Sequence, residues 1–446
     1  MIEAINLTTI KTNKDFSKKA EVKPVSKNNS NFTLPDYKTA LAFKNQILFK
    51  GHLEIKERRE LIQKTIEEKS LPIKPQTLDF VLTSASSKSP LSIKYNKTGS
   101  KFFELYSRYL LHKNYPIKEE GELTDIIALF IKSKNKARIL NDIIPLELLP
   151  KTIDKNSSQT VQANCLNAFL GAIIYENEDG FKTAFEFMDC ALGKNIFPQN
   201  LKLEESSFEK LASVVEKLGK SWKDLYQETR YFNEQWHYRL HYKDMVLAQA
   251  SGAKHNHELR EECIQEAIEK ITSGELNLDD AGDNLTYTNY VLPDEKRIKE
   301  LEDFCKKWNI QIKDLSLLHK AFLYGEMQDC SALAHCDTYE TLEYVGDAAL
   351  GFCTHEILQD NLPNLSRRGI CAKRHAFVKN SNLSILADKM ELMRYTINRN
   401  QTRGEKRSAD IFEAVVGAIF MDAGTDGISK VYKFLDDNFR EEIVKI

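Results

Sequence analysis

The chain has 446 residues, 42% of them apolar and 29% charged, with a formal net charge of −2; that is room for two or three domains with cores of their own. No apolar run approaches the roughly eighteen residues of a membrane span, and the first residues lack the apolar core of a secretory leader. The eight cysteines form no CxxC pair and none recurs at metal-ligand spacing, so a reduced, cytoplasmic setting is expected.

In chain order, residues 1–50 come first, with nine lysines against four acids. Their polar run from Lys23 to Asn31 predicts a disordered basic arm, because too little apolar surface offsets the entropy of ordering. From about residue 56 a helical pattern begins, and much of it returns later in the chain. Leu71, Ile73, Lys74 and Leu78 match Ile310, Ile312, Lys313 and Leu317 at an offset of 239. KFFELYSRYLL from Lys101 is aligned with YETLEYVGDAALGF at the same offset, and ANCLNAFLGAIIY from Ala163 with ADIFEAVVGAIFM at 246. A tandem duplication explains the two offsets, with repeats at 56–203 and 290–446.

The segment between them, 204–289, reads differently. Tyr238, Leu240 and Tyr242 alternate, Met245 to Leu247 form a second short run, and a helix is expected from about Glu258 to Ile271. His237, His241, His255 and His257 are read as surface histidines rather than a metal cluster. In the second repeat, Cys330, His335 and Cys336 have the wrong spacing for zinc and are read as loop residues. Leu342, Val345, Ala349 and Phe352 then make one amphipathic stripe, and Ile411, Val415 and Ile419 another. The expected fold is mainly α: two helical bundles in tandem around a small α+β segment.

Each of those two stripes carries a pair of acids. Glu343 and Asp347 are four residues apart, Asp410 and Glu413 three, so each pair shares a helix face. Acidic pairs are common on solvated faces, but these sit among apolar neighbours, and buried carboxylates repel unless a cation neutralises them. Magnesium takes hard oxygen ligands, which two such helices could supply. Between the pairs, Ser366 to Arg407 hold eleven Lys/Arg against three Asp/Glu, a surplus suited to a polyanion. Arg367, Arg368, Lys373 and Arg374 are the candidate phosphate contacts.

ETLEYVGDAAL (Glu340 to Leu350) and SADIFEAVVGAI (Ser408 to Ile419) resemble the two motifs of the ribonuclease III family. The resemblance covers about 130 residues, from the Leu317 helix onward. It implies an all-helical fold and magnesium-dependent hydrolysis of double-stranded RNA in RNA processing or decay, with manganese as a substitute ion. It also implies that Glu343, Asp347, Asp410 and Glu413 are the catalytic, metal-binding acids. The family's threonine-histidine-serine stretch is replaced here by AFLYGEMQDCSALAHC (residues 321–336). The middle segment resembles a double-stranded-RNA-binding domain, with Asn256 and His257 where its lysine pair would stand. Carried across by the two offsets, the four acids fall on Glu104, Arg108, Asn164 and Asn167, so the first repeat is expected to be inactive. Such repeats pair, either within one chain or between two. The alternative reading is a non-catalytic RNA-binding or ribosome-associated protein on the same fold.

Overall fold

The computed structural model describes residues 53–84, 89–115, 120–149, 155–191, 205–253, 256–282, 293–323, 339–397 and 404–446. The basic arm at 1–50, His255 and the Cys330–Cys336 segment lie outside these residues. The fold is mainly helical with one small sheet. The first repeat comprises α1 (Ile55–Lys69), α2 (Pro75–Ser84), α3 (Pro90–Asn114), α4 (Glu120–Phe130), α5 (Ser133–Ile143), α6 (Lys155–Glu176) and α7 (Gly180–Ala191). The second comprises α10 (Glu295–Lys307), α11 (Leu315–Ala321), α12 (Tyr339–Asn361), α13 (Arg367–Phe377), α14 (Asn380–Lys389), α15 (Glu405–Ala423) and α16 (Gly427–Lys445). Between them lie α8 (Ser207–Lys217), β1 (Leu225–Phe232), β2 (Gln235–Tyr242), β3 (Met245–Gly252) and α9 (Asn256–Thr272).

α15 is the centre of its repeat. Its residues from Arg407 to Phe420 are all buried, as expected of a helix apolar nearly all round. It crosses α12 at two glycines. A Cβ on Gly346 would lie 1.9 Å from the Glu413 carbonyl oxygen, and one on Gly417 2.0 Å from that of Leu342. Only residues without a side chain let the backbones approach so closely. α3 and α6 repeat the arrangement: a Cβ on Gly99 would lie 1.8 Å from the Asn167 carbonyl oxygen, and one on Gly171 2.0 Å from that of Tyr95.

These crossings correct the alignment of the repeats. Ser70 and Asn309, both left-handed, end α1 and follow α10 at an offset of 239. Gly99 and Gly346, however, correspond at 247, and Gly171 and Gly417 at 246. The change of register falls between α2 and α3, where Ser84 is followed by Pro90 while Ala321 is followed by Tyr339 only after a longer connection. The first-repeat positions that answer to Glu343 and Asp347 are therefore Asn96 and Ser100, not Glu104 and Arg108. All four carboxylates are absent from the first repeat.

The two repeats share one apolar core. α3 and α12 pair antiparallel along it, with Phe102 against Phe352 at 6.3 Å. Thr98 donates to Glu356 at 2.8 Å, and Arg108 donates to the Tyr344 carbonyl at 2.9 Å. With the corrected register these contacts obey a pseudo-twofold relation, in which Arg108 corresponds to His355. The middle segment has its own core, including Phe208, Leu211, Leu240, Leu259 and Ile264. Its order is α-β-β-β-α, with an antiparallel sheet in the order β1-β2-β3. The β1–β2 hairpin turns on Asn233 and Glu234, both at positive φ, as a two-residue turn requires. Sequence patterning found β2, β3 and α9 but not β1, whose LYQETRYF is too polar to read as a strand, nor α8. Among the described residues no helix is long and apolar enough to cross a membrane.

Candidate metal centre

Glu343, Asp410 and Glu413 converge where α12 crosses α15. One carboxylate oxygen from each lies within 4.8 Å of the other two, and among the described residues this is the one group of three or more acids, histidines or cysteines so placed. The glycine crossing sets the spacing, because it fixes how near the acids on α12 come to those on α15. Asp410 and Glu413 are buried, Glu343 half-buried. Asp347, one turn further along α12, is outside this triplet, and its side chain is 46% exposed. It is still close enough to act on Glu413.

The electrostatics are those of a site short of positive charge. The Glu413 carboxyl is pushed up to about 9, first by burial and then by Asp347, Glu343 and Asp410, with Lys406 opposing them. Lys406 pairs with Asp410 at 2.8 Å from the solvent side. From the first repeat, Arg108 reaches across to Asp347 at 3.0 Å, with its guanidinium over the Tyr344 ring. Among the described residues, Lys406 and Arg108 pair with two of the four carboxylates. The donors are all hard oxygens at two helix faces, a set that suits a divalent ion of the magnesium or manganese type.

The candidate phosphate contacts lie on α13. Its N-terminus is capped by Ser366, whose hydroxyl accepts from the Gly369 amide at 3.2 Å. Arg367 and Arg368 are exposed there. Lys373 is half-buried and donates to the Val444 carbonyl at 3.0 Å, which closes the end of α16. Arg374 turns inward over Gly351. Sequence reasoning missed what the first repeat brings to this surface: Lys97, Lys101 and Arg108 of α3. Their spacing, one helical face at intervals of four and seven, was the available signal. Among the described histidines of the middle segment, His241 is buried rather than at the surface as expected. His237 bonds Ser251 at 2.7 Å, His241 stacks on Tyr226 with Glu228 at 3.5 Å, and His257 is exposed.

Residues 340–424 match the family model described as Ribonuclease III domain. A Ribonuclease 3 of Aquifex aeolicus is 32% identical over 130 residues, which is 29% of this chain and 56% of the relative. A Ribonuclease 3 of Bacillus velezensis is 28% identical over 148 residues, covering 31% of this chain and 59% of the relative. The chain thus spans a little over half the length of these relatives. A solved structure of Giardia Dicer aligns with 83% of this chain and 55% of its own, at 12% identity and a TM-score of 0.44.

Proposed function

For a chain that belongs to the ribonuclease III family through residues 340–424, we propose magnesium-dependent hydrolysis of double-stranded RNA, carried out by the second repeat. The observation that carries this reading is the convergence of Glu343, Asp410 and Glu413 within 4.8 Å, where burial and the neighbouring acids push the Glu413 carboxyl up. Proposed boundaries are a carboxylate-free ribonuclease III-like repeat at 56–203, a double-stranded-RNA-binding-like segment at 204–289, and the catalytic repeat at 290–446.

Glu343, Asp410 and Glu413 would hold the ion, with Asp347 completing the set. A bound divalent ion supplies a polarised phosphoryl oxygen and a water of lowered pKa. Glu413 must lose its proton before it can ligate, since only the carboxylate is a ligand. Arg108 fixes the Asp347 carboxylate at the mouth of the site, so that it does not swing into solvent. The water oxygen bonds to phosphorus as the bond to the 3′ oxygen breaks, leaving a 5′-phosphate and a 3′-hydroxyl. Arg367 and Arg368, exposed at the start of α13, would meet backbone phosphates without reading bases.

The test is cleavage of a labelled RNA duplex by the full chain with magnesium, beside Glu413→Gln. The parent is expected to cut, and the variant to lose at least about a hundredfold in rate, the scale of a lost electrostatic contribution. Equal rates would refute the assignment. A parent that binds duplexes without cutting would favour the non-catalytic RNA-binding alternative.

A further inference from the structure

The pseudo-twofold relation between the repeats carries each acid of the centre to a neutral counterpart in the first repeat, and the side chains around those counterparts are basic. Asn96, Ser100, Asn164 and Asn167 stand where the acids would be. Asn96 donates to the Asn164 carbonyl at 3.0 Å. At the floor, the Lys136 ammonium donates to Asn167 Oδ1 at 3.0 Å and lies 4.8 Å from the centre of the Phe103 ring. A fixed ammonium thus sits against the residue that corresponds to Glu413. Burial pulls Lys136 down to about 8, with Glu104 opposing that shift.

Above this floor the two repeats supply cations together. Lys97 and Lys101 come from α3, Arg367 and Arg374 from α13. Lys101 pairs with Glu104 at 2.7 Å, and Glu104 is the acid that Lys101, Arg108 and Arg374 all act on. Arg374 lies over Gly351, where an added Cβ would be in ordinary contact with Nη1 at 3.5 Å. Lys97 is pushed down by burial and then by Arg367, with Lys101 and Arg374 adding to it. His355, the counterpart of Arg108, is 4% exposed, and its Nε2 has no hydrogen-bond partner. Burial first, and then Arg374, Lys97 and Lys101, hold it neutral, at about 3. Glu104 offsets Lys101 and Arg374 only in part, and like charges this close still repel. An anion would relieve that repulsion.

We propose that the carboxylate-free centre of the first repeat is a metal-independent phosphate site, formed by Lys97 and Lys101 with Arg367 and Arg374 of the second repeat. It rests on the reading of the chain as a double-stranded-RNA nuclease, and names what the inactive half does for it. A duplex presents two backbones, and a pseudo-twofold protein presents two centres. The acid centre meets one backbone through its ion, and the basic centre meets the other directly. The uncut strand is thereby the handle that seats the cut one.

The experiment measures binding of a duplex RNA of about 20 base pairs to the full chain in EDTA, as a function of salt. Each lost phosphate contact lowers the slope of log K against log salt by about one. Lys97→Gln with Lys101→Gln should therefore lower it by about two and weaken binding about tenfold at moderate salt. Lys97→Arg with Lys101→Arg should restore the slope, and Glu104→Gln should tighten binding. A glutamine variant that melts like the parent and binds with the same slope and affinity overturns the inference, and the nuclease reading survives if the parent still cuts. Should the glutamine variant not fold, Glu104→Gln decides, and affinity unchanged by it overturns the inference. A parent that neither binds nor cuts duplexes takes both readings down together.

Discussion

Glu413 joins burial, charge and pH at one side chain. Its folded carboxyl stands at about 9 against an ordinary 4.5, by burial first and then by Asp347, Glu343 and Asp410. A group raised in the folded state contributes stability that is whole below its unfolded value and is lost as pH rises through the folded one. The metal-free chain should therefore melt at progressively lower temperature from about pH 5 to 9, and Glu413→Gln should flatten that decline. Magnesium competes with the same proton, so its affinity should rise by up to about tenfold per pH unit over this window. Melting in chelator and magnesium titrations across pH check both expectations, and parallel pH profiles for parent and variant would refute them. Helical spacing and apolar neighbours mark the two acid pairs and the resemblance of their motifs singles them out as ligands, of which the structure brings Glu343, Asp410 and Glu413 together and leaves Asp347 outside. Arg108 was not legible, because its partner Asp347 is distant in sequence and the meeting of the two depends on how α3 and α12 pair.

At the level of elements, the centre is a helix crossing closed by glycine. A methyl group on residue 346 would sit 1.9 Å from the Glu413 carbonyl, the backbone of a proposed ligand. Gly346→Ala should force α12 and α15 apart and cost about 2–3 kcal/mol by overpacking, with loss of magnesium binding beyond what the stability change explains. Gly99→Ala at the equivalent crossing should cost a similar amount yet leave magnesium affinity intact in the folded fraction. Denaturant melts with calorimetric titration distinguish the two, and equal effects on magnesium would contradict the placement. The same glycines show what the sequence could not settle. Both helix pairs are visible as stripes, but a lengthened connection after α11 shifts the register from 239 to 247, and side-chain patterns three or four residues apart tolerate such a slip. Only the backbone contact at Gly99 and Gly346 fixes it. The small sheet was half legible for a similar reason: β1 is held by pairing with β2 rather than by its own pattern.

For the whole molecule, the question is whether repeats pair within a chain or between chains. Glu356 is buried at their junction and accepts from Thr98 and Tyr175, with Gln359 bonding both hydroxyls. Burial raises it to about 7, with the bonds from Tyr175 and Thr98 opposing. Glu356→Gln keeps an acceptor without the charge, so it should remove a stability loss that the parent shows as pH rises from about 4.5 through 7; identical melting profiles would refute this. If two second repeats paired instead, the positions of Thr98 and Tyr175 would be taken by Val345 and Met421. Glu356 would be buried without a hydroxyl, at a cost on the order of 1–3 kcal/mol per copy, and Asp347 would face His355 in place of Arg108. The interface is matched to pairing within one chain, which leaves one acid centre per molecule. The chain should sediment as a monomer, and a duplex labelled on each strand in turn should be cut on one strand per binding event, giving nicked product first. A dimer at assay concentration, or both strands cut together from the earliest times, would show that live centres pair across chains despite the Glu356 penalty.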